Sequence, residues 1–423
     1  MLIAYRYLTY FFFPFFVILI YFRSVFNKED KIRFKEKIFS SHFKPYNDNK
    51  KRLIWFHAAS IGECLSIMPL IDELNKKHKN INFLITTVTL SSSKLLEKKL
   101  IQYQNIIHRF FPLDTEFLSE KFLKKWNPHL VCFVDSEIWP NFLFKIKEKK
   151  IPLLLINARL TKKSFRKWKI LSNFAKKVFN NFDLCLAASK ESKNNLDNFK
   201  VKNSKYIGNL KYSIQNGTDK LENSNIKILD GYKTWCAAST HEGEEMTILK
   251  AHKEIKKKFN NVLTIIVPRH VNRSSYIRDL SKKFNLKTQI LNHNDIIISD
   301  IEILIVNSFG ILPKYFNYCK NVFIGKSLVR QKKNVGGQNP IEAAKLGCKI
   351  FHGPYIYNFQ EVYDLLKSYN IAEEISNEQE LSEKLIKNFE NQKMVNQKEL
   401  TLLNNYGEKI LKETVLEIDT YLR

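Results

Sequence analysis

Two stretches about half a chain apart share one design, and that repetition constrains the fold more than any other feature. In the first, the apolar run Leu53–His57 ends in Ala58-Ala59-Ser60, with Glu63 three residues past the serine. In the second, Thr234–Ala237 leads through Ala238 into Ser239, with Glu242 three residues on. Each run reads as a buried strand, and the small residues permit a sharp turn. After the first turn, Leu65, Met68, Leu70, Ile71 and Leu74 fall at helical spacing. Strand, turn and helix, twice over, predict two similar α/β halves facing each other, each presenting a helix N-terminus. The Ser60/Glu63 spacing is that of a capping box, in which each side chain satisfies an orphan backbone N–H. The spacing itself favours the cap, and the matching second stretch brings in a carboxylate aimed over a ligand crevice. Glu242 reads mainly as a helix-start residue.

A chain of 423 residues has the length for two or three domains with real cores. Lysine and arginine number 69 against 42 acidic residues, a net charge of +27 spread along the whole chain. Such a field favours nucleic acid, anionic membrane or phosphorylated substrates. No RNP or zinc-knuckle pattern supports nucleic acid. The six scattered cysteines include no C-x-x-C pair and read as reduced, buried thiols of a cytoplasmic protein. The ten histidines form no metal-ligand cluster, so no metal is expected. Neither G-x-G-x-x-G nor Walker A is present, and no cofactor is expected.

Residues 2–22 are almost wholly apolar and very aromatic, interrupted by Arg6, Thr9 and Pro14. As a helix, Tyr7–Phe22 would rise only about 24 Å, short of a ~30 Å hydrocarbon core. With residues 2–6 included and Arg6 snorkelling, it just spans. Tyr21-Phe22-Arg23 offers no small-residue cleavage site, and Arg23, Lys28, Lys31, Arg33, Lys35 and Lys37 follow at once. Residues 1–24 therefore read as an uncleaved, separable membrane anchor, spanning or interfacial, with the body on the cytoplasmic side.

Strand and helix signals then alternate. Strands are expected at Leu53–His57, Ile81–Val88, Leu130–Val134, Ile151–Ile156, Leu184–Ala188 and Lys205–Ile207, with a helix over Leu90–Leu100. The second half repeats this at Thr234–Ala237, Val262–Val267, Ile296–Ile298, Ile303–Val306, Val322–Ile324 and Lys349–His352. The pattern predicts parallel sheets covered by helices on both faces. Domain boundaries are expected at 25–212, a polar linker at 213–228, a second domain at 229–395 and a helical tail at 396–423.

Several loops after these strands carry candidate chemistry. Pro268-Arg269 follows one, and an arginine there suits phosphate or carboxylate. Gly336-Gly337-Gln338-Asn339-Pro340-Ile341-Glu342 is a glycine turn opening a helix, where N–H groups can meet a phosphate and the Glu342 carboxylate can hold ribose hydroxyls. Glu137, beside Trp139-Pro140, reads as a turn carboxylate or a site carboxylate, and Lys211 as a surface lysine or a site cation. His57 reads as a packed, hydrogen-bonded imidazole.

In order along the chain, these strings resemble the 3-deoxy-D-manno-octulosonic acid (Kdo) transferases of lipopolysaccharide synthesis. The resemblance is carried by His57–Glu63, Glu137-Ile138-Trp139-Pro140-Asn141, Asn157-Ala158-Arg159-Leu160, Gly208-Asn209-Leu210-Lys211, Ser239–Glu245, Pro268-Arg269-His270 and Gly336–Glu342, together with the N-terminal anchor. It implies a GT-B glycosyltransferase: two Rossmann-like domains facing a cleft, with an N-terminal membrane-anchor helix. It implies transfer of Kdo from CMP-Kdo to lipid IVA at the inner membrane, with inversion. Glu63 is then the general base, and Glu137 and Lys211 stabilise the transition state. The resemblance places CMP on Pro268, Arg269, Gly310, Ile311, Leu312, Asn339, Pro340, Ile341 and Glu342. The chain departs from the family at Asn307-Ser308-Phe309-Gly310-Ile311-Leu312, where Asp-Thr-x-Gly-Glu-Leu is usual, and at Gln338, where histidine is usual. The missing carboxylates leave two alternatives: a binding protein that kept the fold and lost the chemistry, or a GT-B transferase using another nucleotide-sugar.

Overall fold

A computed structural model describes residues 1–44, 51–214, 221–292, 295–308, 310–330, 335–391 and 395–422. The chain divides into two compact units, Met1–Ile214 together with Gly407–Arg423, and Gln215–Tyr406. The first holds seven parallel strands, β1 Arg52–His57, β2 Ile81–Thr87, β3 Ile106–Phe110, β4 Leu130–Val134, β5 Leu153–Ala158, β6 Leu184–Ala187 and β7 Ser204–Tyr206. Their order across the sheet is β3-β2-β1-β4-β5-β6-β7. The second holds β8 Lys233–Thr240, β9 Val262–Pro268, β10 Thr288–Leu291, β11 Ile303–Val306, β12 Asn321–Ile324, β13 Lys349–His352 and β14 Ala372–Glu374. Its order, β10-β11-β9-β8-β12-β13-β14, is the same Rossmann-like plan.

The central strands are apolar throughout because helices bury both faces of a parallel sheet. β1 is the clearest case. Trp55 pairs in register with Leu84 and Val131, packs against Phe122, Phe133 and Phe142, and donates its indole N–H to Thr86 Oγ1 at 2.8 Å. The Ile296–Ile298 strand is not formed. Gln289 carries that segment instead, donating to the Ile296 carbonyl and accepting from the Ile298 N–H, while Asn225 accepts from Ile297. The neighbouring strand is Thr288–Leu291, paired with β11.

The polar linker also needs revision. Residues 215–220 lie outside those described, but Asn223–Leu229 is helical, with Leu229 buried. Nor is the tail a separate body. The helix Gln397–Asp419 begins in the second unit and ends in the first. There Asp419 pairs with Lys77 and His78, and Glu417 with Lys205. A Cβ at Gly407 would lie 2.2 Å from the Tyr212 carbonyl oxygen, so only glycine lets the helix come this close.

The N-terminal segment is two helices, Leu2–Phe11 and Phe13–Val25, bent by 51° at Phe12. No single helix among the described residues is long and apolar enough to cross a membrane. The segment expected to be separable, with Arg6 snorkelling, makes side-chain contacts with the first unit. Arg6 forms ion pairs with Glu116 at 2.8 Å and Glu148 at 3.0 Å. Tyr5 donates to the buried Asp114 at 2.8 Å, and Asp114 also accepts the N–H groups of Asn141 and Phe142. Burial lifts the Asp114 carboxyl to about 6. Phe13 packs edge-on against Phe117, while Ile3, Tyr7, Tyr10, Phe11, Phe15 and Ile18 stay exposed. Tyr5→Phe removes one donor from a buried carboxyl, so urea unfolding is expected to lose about 1–3 kcal/mol. An unchanged midpoint would mean that the segment is not held there.

Candidate functional site

In each sheet the strand order reverses, between β1 and β4 in the first unit and between β8 and β12 in the second. Loops at the carboxyl ends of parallel strands diverge at such a point and leave a crevice for ligands. Three carboxylates of the first unit follow the two strands at its switch. Glu63 lies in the first turn of the helix Ile61–Lys77 after β1, and Asp135 and Glu137 follow β4.

The capping box at Ser60 forms with one change. Ser60 Oγ accepts from the Glu63 N–H at 3.4 Å and donates to Glu63 Oε1 at 2.7 Å. Glu63 Oε2 accepts from the Ala59 N–H at 2.8 Å, one residue earlier than a standard box would use. Cap and base are therefore compatible in one side chain. Burial raises the Glu63 carboxyl to about 7; the Ser60 bond opposes the rise, and the charges of Asp135 and Glu137 add to it. A carboxyl poised near neutrality is matched to taking a proton from a hydroxyl.

The groups around Glu63 are positioned by backbone geometry. Asp135 sits at φ +61°, a left-handed turn ending β4, and its carbonyl accepts the Arg159 N–H. Burial raises its carboxyl, and the cations of Lys211 and Arg159 partly offset that. Glu137 Oε2 accepts the Trp139 indole N–H at 3.0 Å and lies 3.6 Å from His57 Nε2. His57 is the packed imidazole expected, stacked 4.0 Å from Phe111 with Nδ1 on Thr86. Lys211 is delivered by two asparagines. Asn157, at φ +51° where β5 ends, accepts the Leu210 N–H, and Asn209 accepts the N–H of Lys211 itself. The ammonium reaches the helix start: a Cβ at Gly62 would stand 3.8 Å from Lys211 Nζ.

In the second unit the turn is displaced from its counterpart. β8 runs on to Thr240 with a register irregularity after Ala238, and Ser239 adopts φ +56°. The helix Glu244–Lys256 then starts from Gly243. Gly243-Glu244 therefore matches Gly62-Glu63, and Glu242, expected as the counterpart, is 87% exposed in the preceding turn. Glu244 is buried and accepts four backbone N–H groups, from His241, Lys326, Ser327 and Leu328, at 2.8–3.0 Å. Sequence spacing missed it; the Gly-Glu pair was the usable signal. A Cβ at Gly325 would fall 2.5 Å from the Ser239 carbonyl oxygen, so the loop after β12 closes over Glu244 only with glycine there.

The expected nucleotide residues lie on loops of this second sheet. Pro268 ends β9, and Arg269, which follows it, is exposed and forms no ion pair among the described residues. Gly310 at φ +76°, Ile311 and Leu312 follow the adjacent β11. Asn339, Pro340, Ile341 and Glu342 lie beyond β8, between β12 and β13, with Glu342 exposed and Asn339 accepting the Ile341 N–H. Gly337 donates to the Lys326 carbonyl, which ties this turn to the loop Glu244 holds. Asn307, where a carboxylate is usual, accepts from Ser274 and donates to Asn292, a pairing that an ionised aspartate could not complete.

A family model described as 3-deoxy-D-manno-octulosonic-acid transferase (kdotransferase) matches residues 33–214. A 3-deoxy-D-manno-octulosonic acid transferase of Rickettsia felis is 32% identical over 337 residues, covering 79% of this chain and 71% of that protein. Among solved structures, a putative UDP-N-acetylglucosamine 2-epimerase from Listeria monocytogenes aligns at TM-score 0.60 and 15% identity, over 86% of this chain and 95% of that one. A glycosyltransferase from Rickettsia africae aligns at 0.56 and 14% identity, over 89% and 100%. These likenesses bear on the fold, and the pair of Rossmann-like units is that of GT-B glycosyltransferases.

The two matching carboxylates make opposite forecasts. Glu63 has a folded-state value above that of a free carboxyl, so its contribution to stability is full below about pH 4.5 and lost as pH rises through about 7. Glu63→Gln should therefore melt higher than wild type at pH 8, with the gap closing towards pH 5. Glu244→Gln turns amide hydrogens towards two of the four N–H donors and should lose a few kcal/mol at either pH. Thermal melts at the two pH values check both.

Proposed function

The chain belongs to the Kdo transferase family, and we propose that it moves Kdo from CMP-Kdo to a glucosamine hydroxyl of lipid IVA, a tetraacyldisaccharide 1,4'-bisphosphate, with inversion at the anomeric carbon. The observation carrying this reading is the Glu63 carboxyl, buried and lifted to about 7 beside Lys211 and Glu137. The acceptor oxygen attacks the anomeric carbon as Glu63 takes its proton. The bond from that carbon to the phosphate oxygen breaks, and CMP leaves with the electron pair. Lys211 supplies a cation for the charge growing on the phosphate. Glu137, fixed by the Trp139 N–H, faces the positive charge that develops on the sugar ring. Proton abstraction by a positioned base contributes about 10²- to 10⁴-fold.

The second unit takes the nucleotide. Arg269, exposed and without a protein counter-ion among the described residues, meets the phosphate, and Glu342 meets the ribose. Pro268, Gly310, Ile311, Leu312, Asn339, Pro340 and Ile341 supply backbone and apolar contact. The exposed apolar face of the N-terminal helices, followed by basic residues, holds the protein on the inner membrane from the cytoplasmic side.

Incubation of the purified protein with CMP-Kdo and lipid IVA should give products heavier by one or more Kdo residues, read by mass spectrometry. No product with CMP-Kdo, or product only with another nucleotide-sugar, would sink the reading. Glu63→Gln should cut turnover by about 10²-fold or more, and wild-type kcat/KM should fall as pH drops below about 7. Arg269→Ala and Glu342→Ala should each weaken CMP binding by calorimetry, with unchanged affinity in both removing them from the site.

A further inference from the structure

The first helix, Leu2–Phe11, is built inside out. Its outward residues Ile3, Tyr7, Leu8, Tyr10 and Phe11 are apolar or aromatic and 55–75% exposed, whereas Tyr5, Arg6 and Thr9 are polar and half-buried against the first unit. A surface helix of a globular protein has the reverse arrangement. Polar groups turned inward need partners, and two of these reach one spot. Tyr5 donates to Asp114 Oδ2 at 2.8 Å, and Thr9 Oγ1 accepts from Asn141 Nδ2 at 3.1 Å. The same Asn141 amide donates its other hydrogen to the Asp114 carbonyl at 2.6 Å.

That spot is the start of the helix Pro140–Glu148, whose N-cap residue, Trp139, makes no side-chain capping bond. Asp114 caps it from a distant segment: Oδ2 accepts the Asn141 N–H at 3.1 Å and Oδ1 the Phe142 N–H at 3.0 Å. Pro140 has no N–H, so both free donors of the first turn end on this one carboxyl. Trp139, immediately before, divides its indole N–H between Glu137 Oε2 at 3.0 Å and His57 Nε2 at 3.2 Å. Phe111, three residues before Asp114, packs on the Trp139 ring with centroids 5.5 Å apart. A shift of the helix start therefore moves Trp139 against the buried His57, and moves Glu137 with it.

We infer that Tyr5 and Thr9 are positioning residues for Glu137, acting through Asp114, Asn141 and Trp139. The inference rests on the transferase reading for the role of Glu137. It adds that the first helix serves the reaction as well as the attachment: its outward face meets lipid, and its inward face sets a charge in the site.

Tyr5→Phe, Thr9→Val and the pair are to be compared with wild type on CMP-Kdo and lipid IVA in nonionic detergent micelles, where attachment to a membrane no longer limits the encounter. With turnover normalised to CMP-binding sites counted by calorimetry, kcat should fall in each single variant and about tenfold in the pair, while KM for both substrates stays within about twofold of wild type. Thr9→Ser keeps the hydroxyl and should restore wild-type kcat. Tryptophan emission should shift in Tyr5→Phe and Thr9→Val, and the shift should vanish in a Trp139→Phe background. Unchanged kcat in the pair, a raised acceptor KM at unchanged kcat, or emission that does not shift would each overturn the proposal. Should the pair fail to fold, the single variants decide by the same measures. If wild type converts no acceptor, the transferase reading fails, and the emission of Trp139 alone decides whether helix and loop are coupled.

Discussion

A carboxylate buried at the first turn of a helix, where the strand order reverses, is the interaction on which both halves depend. Such a group costs several kcal/mol to ionise unless N–H donors or cations surround it. The two units meet that cost differently. Glu244 is surrounded by four backbone N–H groups that oppose the rise burial imposes on its carboxyl, and through them it fastens the loop after β12. Glu63 has the Ala59 N–H and the Ser60 hydroxyl, with two further carboxylates nearby, and is left only partly compensated. One position in one fold thus yields a fastening in one unit and an acid–base group in the other. The difference lies in how many donors point at it.

The same logic explains how the chemistry is held in place. Asp135 and Asn157 end adjacent strands in left-handed backbone conformations, which asparagine and aspartate adopt more readily than bulkier residues. Each uses that conformation to fix a neighbour: the Asp135 carbonyl holds the Arg159 N–H, and the Asn157 side chain holds the Leu210 N–H. Lys211 is long and flexible, yet Asn157 ties the neighbouring backbone to the end of β5 and Asn209 caps the turn that carries it. The site is therefore carried by the sheet edge and not by mobile side chains.

The sequence made the central strands legible because β1, β4, β5, β9 and β11 are buried on both faces and read as unbroken apolar runs. β3 was missed for a physical reason: His108 and Arg109 interrupt it, and His108 is tolerated only because Arg33 and Thr87 bond its ring. Ile296–Ile298 was over-read, since three isoleucine-rich residues look like a strand when side-chain amides elsewhere occupy their backbone. Glu63 was legible from its spacing to Ser60. Glu244 was not, because the irregularity at Ser239 shifts the frame by more than spacing from the alanine pair can anticipate. The N-terminal helices were recognised by composition, but the ties from Tyr5 and Arg6 to residues far along the chain leave no local trace.

The return of the helix Gln397–Asp419 to the first unit has a consequence for how the protein is made. Asp419 and Glu417 reach Lys77, His78 and Lys205, and Gly407 fits against Tyr212. These residues leave the ribosome only after the whole second unit has been synthesised. The amino-terminal half therefore emerges first and is finished last, waiting as an incomplete sheet-and-helix body for its closing piece. A chain stalled within the second unit would leave the first unit with its apolar helix contacts unfilled, so the first sheet is completed only once the second has been made.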